Sequence, residues 1–232
     1  STTQRKMRGT RGYIDAVLTP TLMSPTPDAL RIGTAARGAP GTSRCESERV
    51  LLVQDLNLKS SFHNFENMIV RKDALLSNIA VHLGSEQTRV ESKGSLTEDG
   101  AEFENSSITL GRENQLFDQR TMQHHLSRNG KSTLSFKNAL LDKSRSVFSG
   151  LIKVENDAQN TNAYQTNRNL LLSDNAEADS MPGLEILANE VKCSHGATTS
   201  KIDEQELFYL LSSCLLYTSD AADEEDSVDL GG

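Results

Sequence analysis

The sequence predicts a mainly β protein assembled from short, stacked strands. Three observations point there. Short apolar runs recur through the middle of the chain, at Arg49–Val53, Met68–Val70, Ile79–Leu83, Ser107–Leu110, Thr133–Phe136, Ser146–Val154, Arg168–Ser173 and Leu184–Cys193. Turn chemistry separates them, at Asp99-Gly100, Asn129-Gly130, Ser173–Asn175 and Pro182-Gly183, and runs of this length and spacing read as strands. A polar turn residue followed by a small residue and a strand recurs loosely at Gly100-Ala101, Asp157-Ala158 and Asn175-Ala176.

Such a recurrence suits a β-solenoid, in which each coil stacks on the last and shares one core. It also suits a sandwich. Asn and Ser are plentiful, and Asn tolerates the left-handed backbone angles that solenoid corners use. One segment breaks the pattern. In Asp203–Leu211, Leu207, Leu210 and Leu211 follow the acidic residues Asp203, Glu204 and Glu206 at helical spacing, which predicts a helix start.

Both ends differ from the middle. Residues 1–44 hold four of the five prolines and seven basic residues against two acidic ones. That surplus of five positive charges leaves residues 45–232 to carry −13 of the net −8. Neither helical nor strand periodicity is sustained there, so the segment is expected to be a disordered or foreign leader. From Cys214 the chain reads Cys-Leu-Leu-Tyr-Thr-Ser-Asp-Ala-Ala-Asp-Glu and it closes Ser-Val-Asp-Leu-Gly-Gly. This looks like the in-frame translation of a transposon-end adapter and flow-cell primer from DNA library preparation. Residues 214–232 are therefore set aside from the fold as a scar. The expected organisation is a leader at 1–44, a β core at 45–202, the start of a helical region at 203–213, and the scar.

Composition narrows the function. Apolar residues are 36% of the 232 and there is no Trp, which predicts a thin core or one spread along an elongated body. A net charge of −8 argues against nucleic-acid binding, which needs clustered Lys and Arg. No apolar run reaches membrane-spanning length. Three cysteines, Cys45, Cys193 and Cys214, make no disulfide framework, and a reduced, cytosolic protein is expected.

The densest chemical candidate is Val191-Lys192-Cys193-Ser194-His195-Gly196-Ala197-Thr198. On a strand, Cys193 and His195 point to the same face, and a thiolate beside an imidazole can hold a soft metal ion or iron. Two ligands are too few for a stable site, so a partner would have to supply others. On the residues alone, a buried Cys packing as a small hydrophobe beside a hydrogen-bonded His is the stronger reading. His124 and His125 are adjacent, so on a strand they face opposite sides and cannot share a site. With Asp118 and Thr121 nearby, one of them could join a polar network, and a structural role is expected. There is no nucleophile elbow, phosphate loop, His-Glu-x-x-His or Cys-x-x-Cys. The enzyme alternative is a stand-alone solenoid acting on carbohydrate, with His125 or His195 as base, and it would need a groove of carboxylates and aromatics. Aromatics are only 5% of the chain.

Three stretches together resemble the SufB/SufD family of iron–sulfur cluster assembly proteins. They are Lys137–Asp142 with Ser146–Val154; Ala158-Gln159 with Asn169–Ser173, Ala176–Ala178 and Pro182–Ile186; and Val191–Thr198 with Leu207–Leu210. A weaker likeness runs upstream through His125, Thr121, Phe117-Asp118 and Gly100–Glu102 to roughly Val50. Cys193-Ser194-His195-Gly196-Ala197 favours the SufD branch, since the SufB branch usually carries an acidic residue in place of Cys193 and Glu in place of Gly196. Thr198–Ile202 is closer to SufB. The family continues Arg-Gly after Ser212, where Ser213 stands here.

The resemblance implies a right-handed parallel β-helix followed by a helical C-terminal region. It implies a non-enzymatic scaffold subunit in the cytoplasm, paired strand edge to strand edge with SufB. The ATPase SufC would bind mainly through the C-terminal region. The family's motif His maps to His195, with Cys193 second by adjacency. The implied cargo is transient iron or a nascent iron–sulfur cluster shared with SufB, and not held stably by this chain alone. A further alternative is a SufB-like paralogue without a metal role.

Overall fold

The computed structural model describes residues 47–201, with side chains from Leu51 onward, and the strand backbones at three places upstream. In chain order the strands are β1 (Thr3–Lys6), β2 (Ile14–Met23), β3 (Leu30–Arg37), β4 (Ser47–Gln54), β5 (Ser61–Val70), β6 (Leu75–His82), β7 (Gln87–Leu96), β8 (Glu102–Gly111), β9 (Leu116–His125), β10 (Lys131–Leu140), β11 (Arg145–Val154), β12 (Thr161–Leu171), β13 (Glu177–Ile186) and β14 (Val191–Lys201). No helix occurs among the described residues. The leader, residues 1–44, falls on β1–β3 and on residues outside the described set. The helix start at 203–213 and the adapter-like tail at 214–232 lie outside it altogether.

Alternation of side chains makes these segments strands with one buried face. In β10, Ser132, Leu134, Phe136, Asn138 and Leu140 are buried, while the residues between them are exposed or half-buried. From β4 onward each strand pairs in parallel with the next but one. This gives β5-β7-β9-β11-β13 in one sheet and β4-β6-β8-β10-β12-β14 in the other. Ser61 lies beside Gln87, 26 residues on, and Arg145 beside Glu177, 32 on. The chain therefore winds through about five coils of a β-helix, and the antiparallel sandwich is excluded for this body. Upstream, β1 pairs with β2 and β2 with β5, and β3 pairs with β4, all antiparallel.

The corners follow the turn chemistry. Asp73, Ser85, Gly100, Glu113, Asn129, Asp142 and Asn160 all have positive φ, between 53° and 72°, the left-handed region where Gly, Asn and Asp cost least. Each recurrent small residue turns inward: Ala101 and Ala158 are fully buried and Ala176 nearly so, as is Ala74. Two expectations need correction. Pro182-Gly183 is no turn but lies inside β13, which ends its sheet, where a missing N–H donor is tolerated. The run Leu184–Cys193 is not one strand, because a corner at residues 187–190 separates β13 from β14.

The core is part apolar, part polar. Phe62, Phe103, Phe117 and Phe148 are fully buried, and Phe136 meets Phe148 edge-on at 5.5 Å. Between such layers run polar rows. One inward row of the second sheet reads Gln54, His82, Thr109, Asn138, Asn169 and Thr199, one residue from each of six strands in register. All but the last are buried.

Glu66 on β5 is buried, and among the described residues no cation pairs with it. Its carboxylate accepts hydrogen bonds from Asn64 Nδ2 at 2.8 Å and Asn78 Nδ2 at 3.0 Å, and from the Ser92 hydroxyl. Loss of hydration raises its pKa above the ordinary 4.5 despite these three donors. The folded chain thus keeps this proton at a pH where the unfolded chain has lost it. The stability it contributes is present below pH 4.5 and lost as pH rises through the folded value. Replacing Glu66 by Gln is expected to remove that loss. In urea melts from pH 5 to pH 8 the stability advantage of the variant grows with pH. Parallel wild-type and variant curves would contradict the assignment.

Candidate functional site

β14 is where the sequence-predicted pair lies. Register sets Cys193 beside Ala163 and His195 beside Gln165 of β12. Both β12 residues are buried at 1% exposure, so Cys193 and His195 continue inward-facing rows. They share one face, as their spacing predicts. They are more accessible than the residues they stack on, Cys193 half-buried and His195 exposed, because β14 and β13 end their sheets among the described residues. The pair therefore sits on the last described coil, on the face another coil or another chain would cover.

The two residues have different surroundings. Cys193 packs against the cluster of Ile152, Val154, Ala158, Ala163 and Ala188. Burial pushes its thiol pKa up, opposed by a hydrogen bond with the Ala163 backbone. Left alone it is a protonated thiol that packs as a small hydrophobe. A metal would have to displace that proton. Beneath His195, Gln165 donates from Nε2 to the carbonyls of Gly150 and Gly183, each at 3.4 Å. Among the described residues no group of three or more His, Cys, Asp or Glu side chains is arranged to hold a metal. A thiolate and an imidazole are donor types that iron accepts, but two of them alone make no closed site.

His124 and His125 do face opposite sides. His125 points inward and is fully buried, with Nε2 2.8 Å from Ser132 Oγ, which also accepts from Gln123 Nε2 at 2.8 Å. Burial, helped by nearby His124, lowers its pKa to about 4. His124 points outward, with Nε2 2.9 Å from Glu155 Oε1, and this bond is the main cause of a lowered Glu155 pKa. One of the two histidines thus joins a polar network, His125 with Ser132 and Gln123, whereas Asp118 pairs with Arg89 and Arg120. Thr121 Oγ1 has no hydrogen-bond partner.

A corner cleft, of about 620 Å³, opens beside the start of β14. Its lining includes Lys131, Asn162, Lys192 and one carboxylate, Glu190, with no aromatic. Carboxylates elsewhere on the outer faces pair across coils, as Glu102 does with Lys131 and Asp179 with Arg145. Neither feature makes the carboxylate-and-aromatic groove of a carbohydrate-active solenoid. Reading the sequence for motifs passed over the inward row Gln54, His82, Thr109, Asn138, Asn169 and Thr199, as well as Glu66. The signal was a polar residue recurring at each coil, visible only once strands are stacked by coil.

The family described as SUF system FeS cluster assembly, SufBD core domain, matches residues 38–218. Over 152 residues the chain is 36% identical to the iron–sulfur cluster assembly protein SufD of Escherichia coli, covering 65% of this chain and 36% of that protein. Over 153 residues it is 35% identical to the SufBD family protein slr0076 of Synechocystis, covering 66% of this chain and 34% of that one. A stretch of 65 residues is 48% identical to the chloroplastic protein ABCI7 of Arabidopsis thaliana, covering 28% of this chain and 14% of that protein. The chain thus spans about a third of the length of the first two relatives. With the family's match covering more than half of the chain and the fold a parallel β-helix, this chain belongs to the SufBD core family of the SUF iron–sulfur cluster assembly system.

Proposed function

We propose that this chain is the β-helical core of a SufD-type scaffold subunit that, with SufB and the ATPase SufC, supports iron acquisition and nascent cluster assembly in the cytoplasm. One observation carries the reading: Cys193 and His195 stand together on the inward face of the last described coil, where no third His, Cys, Asp or Glu joins them among the described residues. A SufB-type subunit laid against the β14 edge covers that face and brings the missing ligands. Iron or the growing cluster is then cargo held between two chains, with His195 the principal ligand here and Cys193 the second. The polar lumen and paired surface carboxylates fit a scaffold better than a catalyst, and the ATP chemistry falls to SufC, bound mainly through the C-terminal region.

The test replaces His195 with Ala in the full-length subunit co-expressed with SufB and SufC. Complex assembly is expected to be unchanged by size-exclusion chromatography, because His195 is exposed in this chain and its loss leaves the strand backbone in place. Iron and acid-labile sulfide per complex are expected to fall several-fold. Unchanged iron and sulfide would remove His195 from the site.

A further inference from the structure

The polar row that ends at Thr199 has a direction. Asn138 Nδ2 donates to Asn169 Oδ1 at 2.7 Å and to Asn167 Oδ1 at 3.1 Å. Asn169 Nδ2 donates in turn to Thr199 Oγ1 at 3.3 Å and to Ser180 Oγ at 3.1 Å, and Asn167 Nδ2 donates to Ser180 Oγ at 2.7 Å. Reversing the amides would leave the buried Asn138 NH₂ without acceptors, whereas the observed order leaves only its Oδ1 unpaired. Burying two unpaired donors costs more than burying one carbonyl oxygen with a free lone pair. The order therefore runs from β10 through β12 to β14, toward the last described coil.

Its last members are hydroxyls. Thr199 Oγ1 and Ser180 Oγ accept from the coil beneath, so each keeps its own hydrogen to donate outward. Once the end is covered and water is excluded, those two hydrogens need acceptors. Around the same face the inward residues are apolar on one side, Leu184, Ile186, Ala188 and Val191, and hydroxylic on the other. The last described coil is thus divided chemically as well as shaped as an edge.

We infer that the strand covering this end is selected by a side-chain oxygen acceptor, an Asn, Gln, Asp or Glu, facing Thr199 and Ser180, so that the buried polar row continues from one chain into the next. The inference rests on the proposed pairing of a SufB-type subunit with the β14 edge and adds what that subunit must present there. Thr199 is then a specificity residue for partner choice, separate from the ligand pair two and three rows away, and it has no part in holding iron.

The experiment measures the affinity of the chain for a SufB subunit by isothermal titration calorimetry, for wild type, Thr199→Val and Thr199→Ser. Thermal melts of each free chain separate effects on its own fold. Thr199→Val keeps the shape and removes the donor, and is expected to weaken association roughly ten-fold. Thr199→Ser restores the donor and is expected to bind within about two-fold of wild type. Wild-type or tighter binding by Thr199→Val, with a normal melt, overturns the acceptor assignment while leaving the pairing intact. Failure of the folded wild type to bind overturns the pairing itself, and the inference with it.

Discussion

Acid is expected to unfold the solenoid from within, with about 5 kcal/mol of stability lost between pH 7 and pH 4.5 through two buried histidines. His82 and His125 are both buried, and burial lowers each pKa from 6.5 to about 4. Both are depressed, so the unfolded chain binds the proton first as pH falls. The stability they contribute is present above pH 6.5 and lost progressively down to about pH 4. Among the described residues no carboxylate acts on either ring: His82 stands 6.4 Å from the Phe62 ring, and His125 bonds Ser132. Glu66 opposes the trend over part of the range, since its protonation is favoured by folding. Urea midpoints at pH 7.0, 5.5 and 4.5 measure the effect. A His82→Gln, His125→Gln double variant is expected to keep most of its neutral-pH stability at pH 4.5. A variant as acid-sensitive as wild type would place the acid transition elsewhere.

The second large effect comes from a corner. A Cβ added at Gly84 would land on the backbone nitrogen and oxygen of Leu56. That strand-to-corner approach is held by Ser85 N donating to Leu56 O at 3.0 Å and Leu83 N donating to Gln54 O at 2.8 Å, so the backbone has nowhere to shift. Gly84→Ala is expected to cost about 3 kcal/mol or more. Gly196 serves as the control: a Cβ there meets only the Tyr164 hydroxyl, at 3.6 Å. Gly196→Ala is expected to change stability by less than about 0.5 kcal/mol. Equal urea midpoints for the two variants would refute the close approach.

The sequence made the body of the fold legible where inward residues are apolar. Met68–Val70, Thr133–Phe136 and Ser146–Val154 read as strands because an apolar row stands out against polar neighbours. β7 and β9 escaped notice for the opposite reason. Their inward rows include Thr88, Ser92, Gln119, Thr121, Gln123 and His125, whose burial depends on partners across the lumen, in the facing sheet. Asn105 Nδ2 reaches Ser92 Oγ at 3.1 Å and Gln119 Nε2 reaches Thr109 Oγ1 at 2.9 Å, contacts between neighbouring strands that the pattern within one strand does not show. Pro182-Gly183 read as a turn because composition alone does not reveal an edge strand.

The candidate site divides similarly. That Cys193 and His195 share a face, and that His124 and His125 do not, followed from strand geometry alone. That the shared face is the inward one, at the last described coil, needed the register with Ala163 and Gln165. The direction of the amide row into Thr199 needed the two coils beneath it.

The proposed function requires a partner chain to bury the inward face of β14. Alkylation of Cys193, read peptide by peptide by mass spectrometry, reports on that burial. In the isolated chain the half-buried thiol is expected to react with iodoacetamide slowly but to completion. In the complex with a SufB subunit it is expected to be protected at least ten-fold, as a residue removed from solvent would be. A complex that forms while Cys193 reacts at its free rate would place the partner elsewhere and leave the pair on the last described coil without its proposed role.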